Sequence, residues 1–228
     1  MVLIFDDGFE DYGTTQVNWS VFNPSLSWYD LVQDATISYE GAYSLHVLEG
    51  GHFWRDFDPV LHDCYVEYAF YDNMSGSITP AEANVAVNNH GSSGVFRFGI
   101  ATQASVSNYV YLLGGSWHLT NVKRSQGWHV VKIWIRDTGM SVAIDDATVI
   151  FGEPSITYLN NLSFMRSPGS VDIWWDDVNI YSPAPEDPNP PSEPPPETPT
   201  PPIDANTMVT LGLGGAFALY LLWKAGMF

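Results

Sequence analysis

Eleven of the chain's 16 prolines fall between Pro183 and Pro202, in the stretch PAPEDPNPPSEPPPETPTPP. Proline has no backbone N–H and a fixed φ, so this stretch can enter neither helix nor sheet. It extends as polyproline II instead, at about 3.1 Å per residue, and reaches roughly 60 Å over its length. Glu186, Asp187, Glu193 and Glu197 repel one another along it and add stiffness. The chain is thereby divided in three: a globular domain over 1–182, an extended Pro-rich stalk over 183–206, and an apolar segment over 207–228.

From Thr207 to Trp223 the last segment carries no charge for 17 residues. As a helix that run is roughly 26 Å long, short of a hydrocarbon core of about 30 Å. With Lys224 snorkelling outward the span extends to Phe228, roughly 33 Å. Tyr220 and Trp223 suit a membrane interface. Gly212, Gly215 and Ala216 place small residues at close-packing spacing, which would let helices associate into a homo-oligomer. The expectation is a single transmembrane helix in a lipid bilayer. The opening MVLIFDDGFEDYG lacks a basic stretch followed by an apolar run, so a tail anchor with the domain made in the cytoplasm is expected. Lys224 beyond the span and Asp204 before it point to a cytoplasmic C-terminus, and the side on which the domain lies stays open.

Twenty-six acidic residues against eight basic ones give a net charge of -18. Nucleic acid is excluded as a partner, because phosphate binding needs clustered Lys and Arg. Cys64 is alone, so it forms no internal disulfide and is expected to be a buried thiol.

The first 182 residues read as short strands. In WHVVKIWIRD, Val131, Ile133 and Ile135 face one way and Lys132, Trp134 and Arg136 the other, the period-2 pattern of a strand with one buried face. SVAIDDATVIF is two apolar runs around Asp145-Asp146, a hairpin pattern. CYVEYAFYD, GVFRFGIA and NYVYLLGG add further strands, and many short strands with turns between them make a sandwich.

The order of these segments carries a resemblance. FDDGFEDYG opens the chain, YEGAYSLHV follows, then QGWHVVKIWI with the MSVAIDDATV hairpin, and VDIWWDDVNIY closes the domain. Together they resemble the concanavalin A-like lectin and glucanase superfamily, in its laminin-G-like branch. The resemblance implies an all-β, concanavalin A-like (jelly-roll) β-sandwich with its first strand beside its last. A galactose-binding-like jelly roll shares the opening and closing motifs and is the alternative fold.

No motif for catalysis stands out. Glucanases of that superfamily set carboxylates two residues apart on one strand, and Glu-x-Asp-x-Glu occurs nowhere here. The acidic pairs Asp6-Asp7, Asp145-Asp146 and Asp176-Asp177 are adjacent, and neighbours on a strand face opposite sides. The six histidines lack zinc spacing, and G-x-S-x-G is absent. The reading is a protein that is not an enzyme.

Two kinds of binding remain. If the first and last strands pair, Asp6, Asp7, Glu10 and Asp11 come near Asp176 and Asp177, a supply of oxygen ligands for a structural Ca2+ ion. The other reading of these acids is solvated turns. For glycan, Trp28, Tyr29, Trp54 and Trp117 lie near Gly, Ser, Asn or Asp clusters and are the candidates for an exposed platform on which sugar rings stack. Trp19, Trp128, Trp134 and one of Trp174 or Trp175 are assigned to the core or its rim. Asn18, Asn73 and Asn161 head N-x-S sequons, relevant only if the domain crosses a secretory membrane.

The first functional expectation is a membrane-anchored structural or attachment protein. It displays a lectin-like domain on a stalk, as a minor capsid or spike component of a virion with an internal membrane, against a capsid or envelope protein. The second is a cell-surface carbohydrate-binding module, and a glycoside hydrolase comes last.

Overall fold

The computed structural model describes residues 1–11, 18–21, 31–47, 51–74, 81–88, 96–167 and 172–186. Its strands are β1 (Val2–Asp7), β2 (Ser20–Val21), β3 (Leu31–Asp34), β4 (Ser44–Val47), β5 (His52–Leu61), β6 (Cys64–Asp72), β7 (Glu82–Val87) and β8 (Phe96–Ala101). They continue with β9 (Asn108–Leu113), β10 (Ser116–Lys123), β11 (Gly127–Arg136), β12 (Gly139–Ile144), β13 (Ala147–Glu153), β14 (Leu159–Arg166) and β15 (Ile173–Ser182). Two sheets result. Sheet A runs β13-β12-β11-β6-β15-β4-β3, with β1 also paired to β15, and sheet B runs β10-β9-β8-β7-β14-β5-β2.

Alternation along each strand decides what lies between the sheets. Val131, Ile133 and Ile135 of β11 are fully buried. Their neighbours Lys132 and Arg136 turn to the outer face of sheet A, half-buried. Trp134, on that same outer face, is 5% exposed because it packs with Tyr65 and Ala143 in a satellite cluster. Asp145 and Asp146 both adopt left-handed backbone, with φ of 47° and 64°. That is the geometry of a two-residue hairpin turn joining β12 to β13, and it matches the right-handed strand twist.

Aromatic rings fill the centre. Phe53 and Phe164 stack at 4.9 Å, and the edges of Trp19 and Trp175 meet them at 5.3–5.9 Å. Each such side chain contributes about 1.5–3 kcal/mol by leaving water. Trp19 brings its indole N–H inside as well, and Asp7 Oδ2 accepts it at 2.8 Å. Cys64 is buried, and desolvation pushes its thiol up to about 12, so it is inert.

The N-terminal strand β1 lies beside β15 from Val178 to Ser182, while β4 pairs with Trp174 and Trp175 on the same strand. Between those two partners β15 bulges, with Asp177 at φ 48° and a register shift against β6. After Ser182 the chain stays on the sandwich for a few residues. Ala184 N–H donates to Asp63 O at 2.9 Å, and Arg136 Nη2 donates to Pro185 O. Residues 187–228 lie outside the described residues, and with them most of the expected stalk and all of the expected anchor, from Gly212, Gly215 and Ala216 to Tyr220, Trp223 and Lys224. No helix among the described residues is long and apolar enough to cross a membrane.

Candidate functional site

Directly paired residues of neighbouring strands point to the same face of a sheet, so register shows which side chains share a surface. On sheet B, Trp54 of β5 is opposite Ser163 of β14, and Ser163 is opposite Ala86 of β7. Ala86 in turn faces Arg97 of β8, Arg97 faces Leu112 of β9, and Leu112 faces Trp117 of β10. One row on the outer face thus reads Trp54, Ser163, Ala86, Arg97, Leu112, Trp117. At about 4.8 Å per interstrand spacing, the two tryptophans stand on the order of 24 Å apart. The adjacent row reads His52, Met165, Asn84, Gly99, Val110, Leu119.

Side-chain size shapes this face into a trough. Its floor, Ser163, Ala86, Asn84 and Gly99, is buried, and its flanks are Trp54 with His52 on one side and Arg97 on the other. Gly99 has φ 150°, and a Cβ there would run into the Ala83 carbonyl, so the floor stays low. Trp54 is held in place: its indole N–H donates to Asp56 Oδ2 at 3.1 Å, and Asn161 Nδ2 donates to Asp56 Oδ1 at 2.8 Å. The His52 ring lies 5.3 Å away. A recess of about 250 Å³ opens at the end of the trough, lined by Gly51, His52, Glu82, Arg97, Met165, Arg166 and Ser167. On the floor, the buried Asn84 Oδ1 and Ser163 Oγ have no hydrogen-bond partner among the described residues.

The expected platform residues are therefore brought together in part. Trp54 and Trp117 share a face and a row, within β5 and β10. Trp28 and Tyr29 lie outside the described residues. Asn161, head of a sequon, is fully buried with its amide committed to Asp56, so glycosylation there is incompatible with the fold.

The expected acidic cluster forms a second recess, of about 310 Å³, lined by Asp6, Gly8, Glu10, Glu40, Gly41, Asp176 and Asp177. The bulge in β15 is the reason that Asp176 and Asp177 both reach it, although strand alternation sends neighbours to opposite sides. Asp7 turns inward to Trp19 and to the Phe9 amide, and neither it nor Asp11 lines the recess. Much of the acceptor capacity is spent on the backbone. Glu10 takes the amides of Ala42 and Tyr43, and Asp176 those of Tyr39, Glu40 and Asp177. Gly41, at φ 63°, permits that approach, since a Cβ there would strike the Glu10 carboxylate. Desolvation is the main reason that the Asp176 carboxyl rises to about 6. Among the described residues no group of three or more His, Cys, Asp or Glu side chains converges in metal-binding geometry.

A third arrangement escaped sequence reasoning: Ser125, His129 and Asp145 are in line. His129 Nδ1 is 2.6 Å from Asp145 Oδ2, and its Nε2 is 3.4 Å from Ser125 Oγ but 2.9 Å from the Ser125 carbonyl. A carboxylate and a carbonyl both only accept, so the ring satisfies both contacts when both of its nitrogens carry protons. Burial opposes the charge, but Asp145 and the Ser125 carbonyl outweigh it and hold the His129 pKa above its ordinary value. A ring donating on both sides clamps a turn and is no base for a serine.

No family model matches the chain, and no curated protein matches it. Solved structures share its fold at low identity. Cellulose induced protein Cip1 is similar at 15% identity and a TM-score of 0.57, over 78% of this chain and 97% of that one. A protein reported with the endo-acting O-glycanases that members of the human gut microbiota express to initiate mucin breakdown has 10% identity and a TM-score of 0.56, over 78% and 98%. A Bacillus subtilis protein with a galectin-like fold has 9% identity and a TM-score of 0.51, over 79% and 96%.

Proposed function

We propose that this lectin-type β-sandwich is a non-enzymatic glycan-binding module, and that the outer face of sheet B is its binding surface. The observation that carries this reading is the single row from Trp54 to Trp117. Both tryptophans stand half-buried on that face, with the polar Arg97 between them in the row. Sugars present flat C–H faces to indole rings and hydroxyls to such polar groups. That some proteins of this fold are named for glycan-processing systems supports the reading. A glycan array probed with the chain and with its Trp54→Ala and Trp117→Ala variants tests it. The expected result is selective binding that each substitution weakens at least tenfold with the fold intact. Undiminished binding in both variants rules the surface out.

The wider role proposed is attachment. The Pro-rich stretch holds the module off a bilayer reached by residues 207–228, on a virion with an internal membrane or on a cell surface. Protease protection decides between the two: a domain cut on intact cells is an exported surface module, and one cut only on opened cells and free particles belongs to a virion. A structural Ca2+ ion is a further proposal for the recess beside Asp176. It is favoured by five carboxylate residues around one opening. Melting with calcium and then with excess chelator tests it, and an unchanged midpoint ends the idea.

A further inference from the structure

Seven basic side chains lie among the described residues, and most have work within the fold. Arg124 makes two 2.8 Å hydrogen bonds to Asp72. Arg166 donates to Val47 O and to Asp172, Arg55 to Asn18 O, and Arg136 to Pro185 O. Lys132 pairs with Asp146, and Lys123 is exposed to water. Arg97 is held more loosely than the other arginines. It is half-buried, its Nε is shielded from solvent without a partner, as are those of Arg55, Arg136 and Arg166, and its ion pair with Glu82 is a long one, 3.6 Å from Nη1. Among the described residues it has no hydrogen bond.

Glu82 is itself bound elsewhere. Gln103 Nε2 donates to its Oε1 at 2.5 Å, and Asn84 Nδ2 lies 3.5 Å from its Oε2. A guanidinium offers five donors in a planar fork, and removing such a group from water without acceptors is costly. Arg97 is also the one charged side chain in the row between Trp54 and Trp117, with Ala86 and Leu112 as its direct neighbours. A planar anion lying against Arg97 would meet the fork, with Trp117 two strands further along the row, about 10 Å away.

We propose that Arg97 selects a carboxylate-bearing sugar, a hexuronate or a sialate, by a two-pronged contact at the middle of the sheet B trough. The inference rests on the glycan reading of that face and narrows it to acidic glycans. It runs against the protein's net charge of -18, which repels acidic polymers at long range. Binding must therefore be local and geometric, and added salt weakens it little because it screens repulsion along with attraction.

The test is titration calorimetry with trigalacturonate and 3′-sialyllactose, each against its neutral counterpart, trigalactose and lactose, and with a sulfated galactotriose. The expected result is that at least one carboxylated probe binds ten times more tightly than its neutral counterpart and than the sulfated sugar. Arg97→Gln then abolishes that preference while neutral binding persists, and Arg97→Lys, which keeps charge but not the fork, restores less than a tenth of it. Neutral probes that bind as well as acidic ones, in the native chain and in Arg97→Gln alike, overturn the carboxylate assignment and leave the glycan reading standing. Preference for the sulfated probe overturns the planar contact. Binding of no probe by a folded chain overturns both.

Discussion

Arg124 and Arg97 sit in two regions of one sandwich and show opposite uses of the same side chain. Arg124 is closed in, with a side chain 2% exposed, against an Asp72 that is fully buried. Tyr109 joins them, its hydroxyl 3.3 Å from Asp72 Oδ2, and the ring of His129 packs against that of Tyr109 at 5.3 Å. Each charge there has its partner, so the region serves the fold. Arg97 is half-buried on the outer face of sheet B, with a 3.6 Å ion pair to Glu82 and no hydrogen bond among the described residues. Burial and the number of satisfied donors both separate the two arginines, 2% against 28% exposed and two short hydrogen bonds against none.

The sharpest way to break this comparison is to delete both. Arg124→Ala leaves Asp72 buried and unpaired and is expected to cost about 3–5 kcal/mol in urea denaturation. Arg97→Ala is expected to stay within about 0.5 kcal/mol, as an ordinary surface change does. Equal losses would make Arg97 structural. Neighbours on β5 extend the contrast across the sheet. Phe53→Ala opens the aromatic core and is expected to cost about 3–5 kcal/mol, whereas Trp54→Ala is expected to cost far less and to be read in glycan affinity instead.

A gentler effect comes from pH. The folded pKa of His129 is raised, so its contribution to stability is fully present below the unfolded value, about 6.5, and is lost as pH rises through the higher folded value. The groups facing the ring are Asp145, Asp72, Tyr109 and the Ser125 carbonyl. Melting midpoints of the native chain should fall across that window, and those of His129→Gln should be flatter. A native profile no steeper than the variant's would remove the clamp. Smallest of all, Lys132→Ala breaks an exposed pair with Asp146 and should change stability by no more than about 0.5 kcal/mol.

Much of the fold was legible in the sequence. Alternation in WHVVKIWIRD assigned the buried face of β11, and the Asp-Asp step marked the hairpin, because both depend on residues a few positions apart. The closing VDIWWDDVNIY was matched to the opening strand through the resemblance, and β1 does pair with β15. The candidate site was legible only as fragments. Trp54 and Trp117 were singled out for their polar surroundings, and nothing local placed them in one row.

The sequence by itself determined which side chains of β11 face the core, since hydrophobic period and strand pleat are properties of a short stretch. It also determined that the strands end where the prolines begin, since β15 needs backbone donors that a proline run cannot provide. Only the tertiary structure decided which outward residues meet. The row from Trp54 to Trp117 depends on the pairing registers of six strands taken from across the chain. A bulge in β15 likewise turned Asp176 and Asp177 to one side against the local rule. That Arg97 has only a long ion pair with Glu82 is a property of the assembled neighbourhood, because a donor is satisfied or left over only after every other side chain has taken its place.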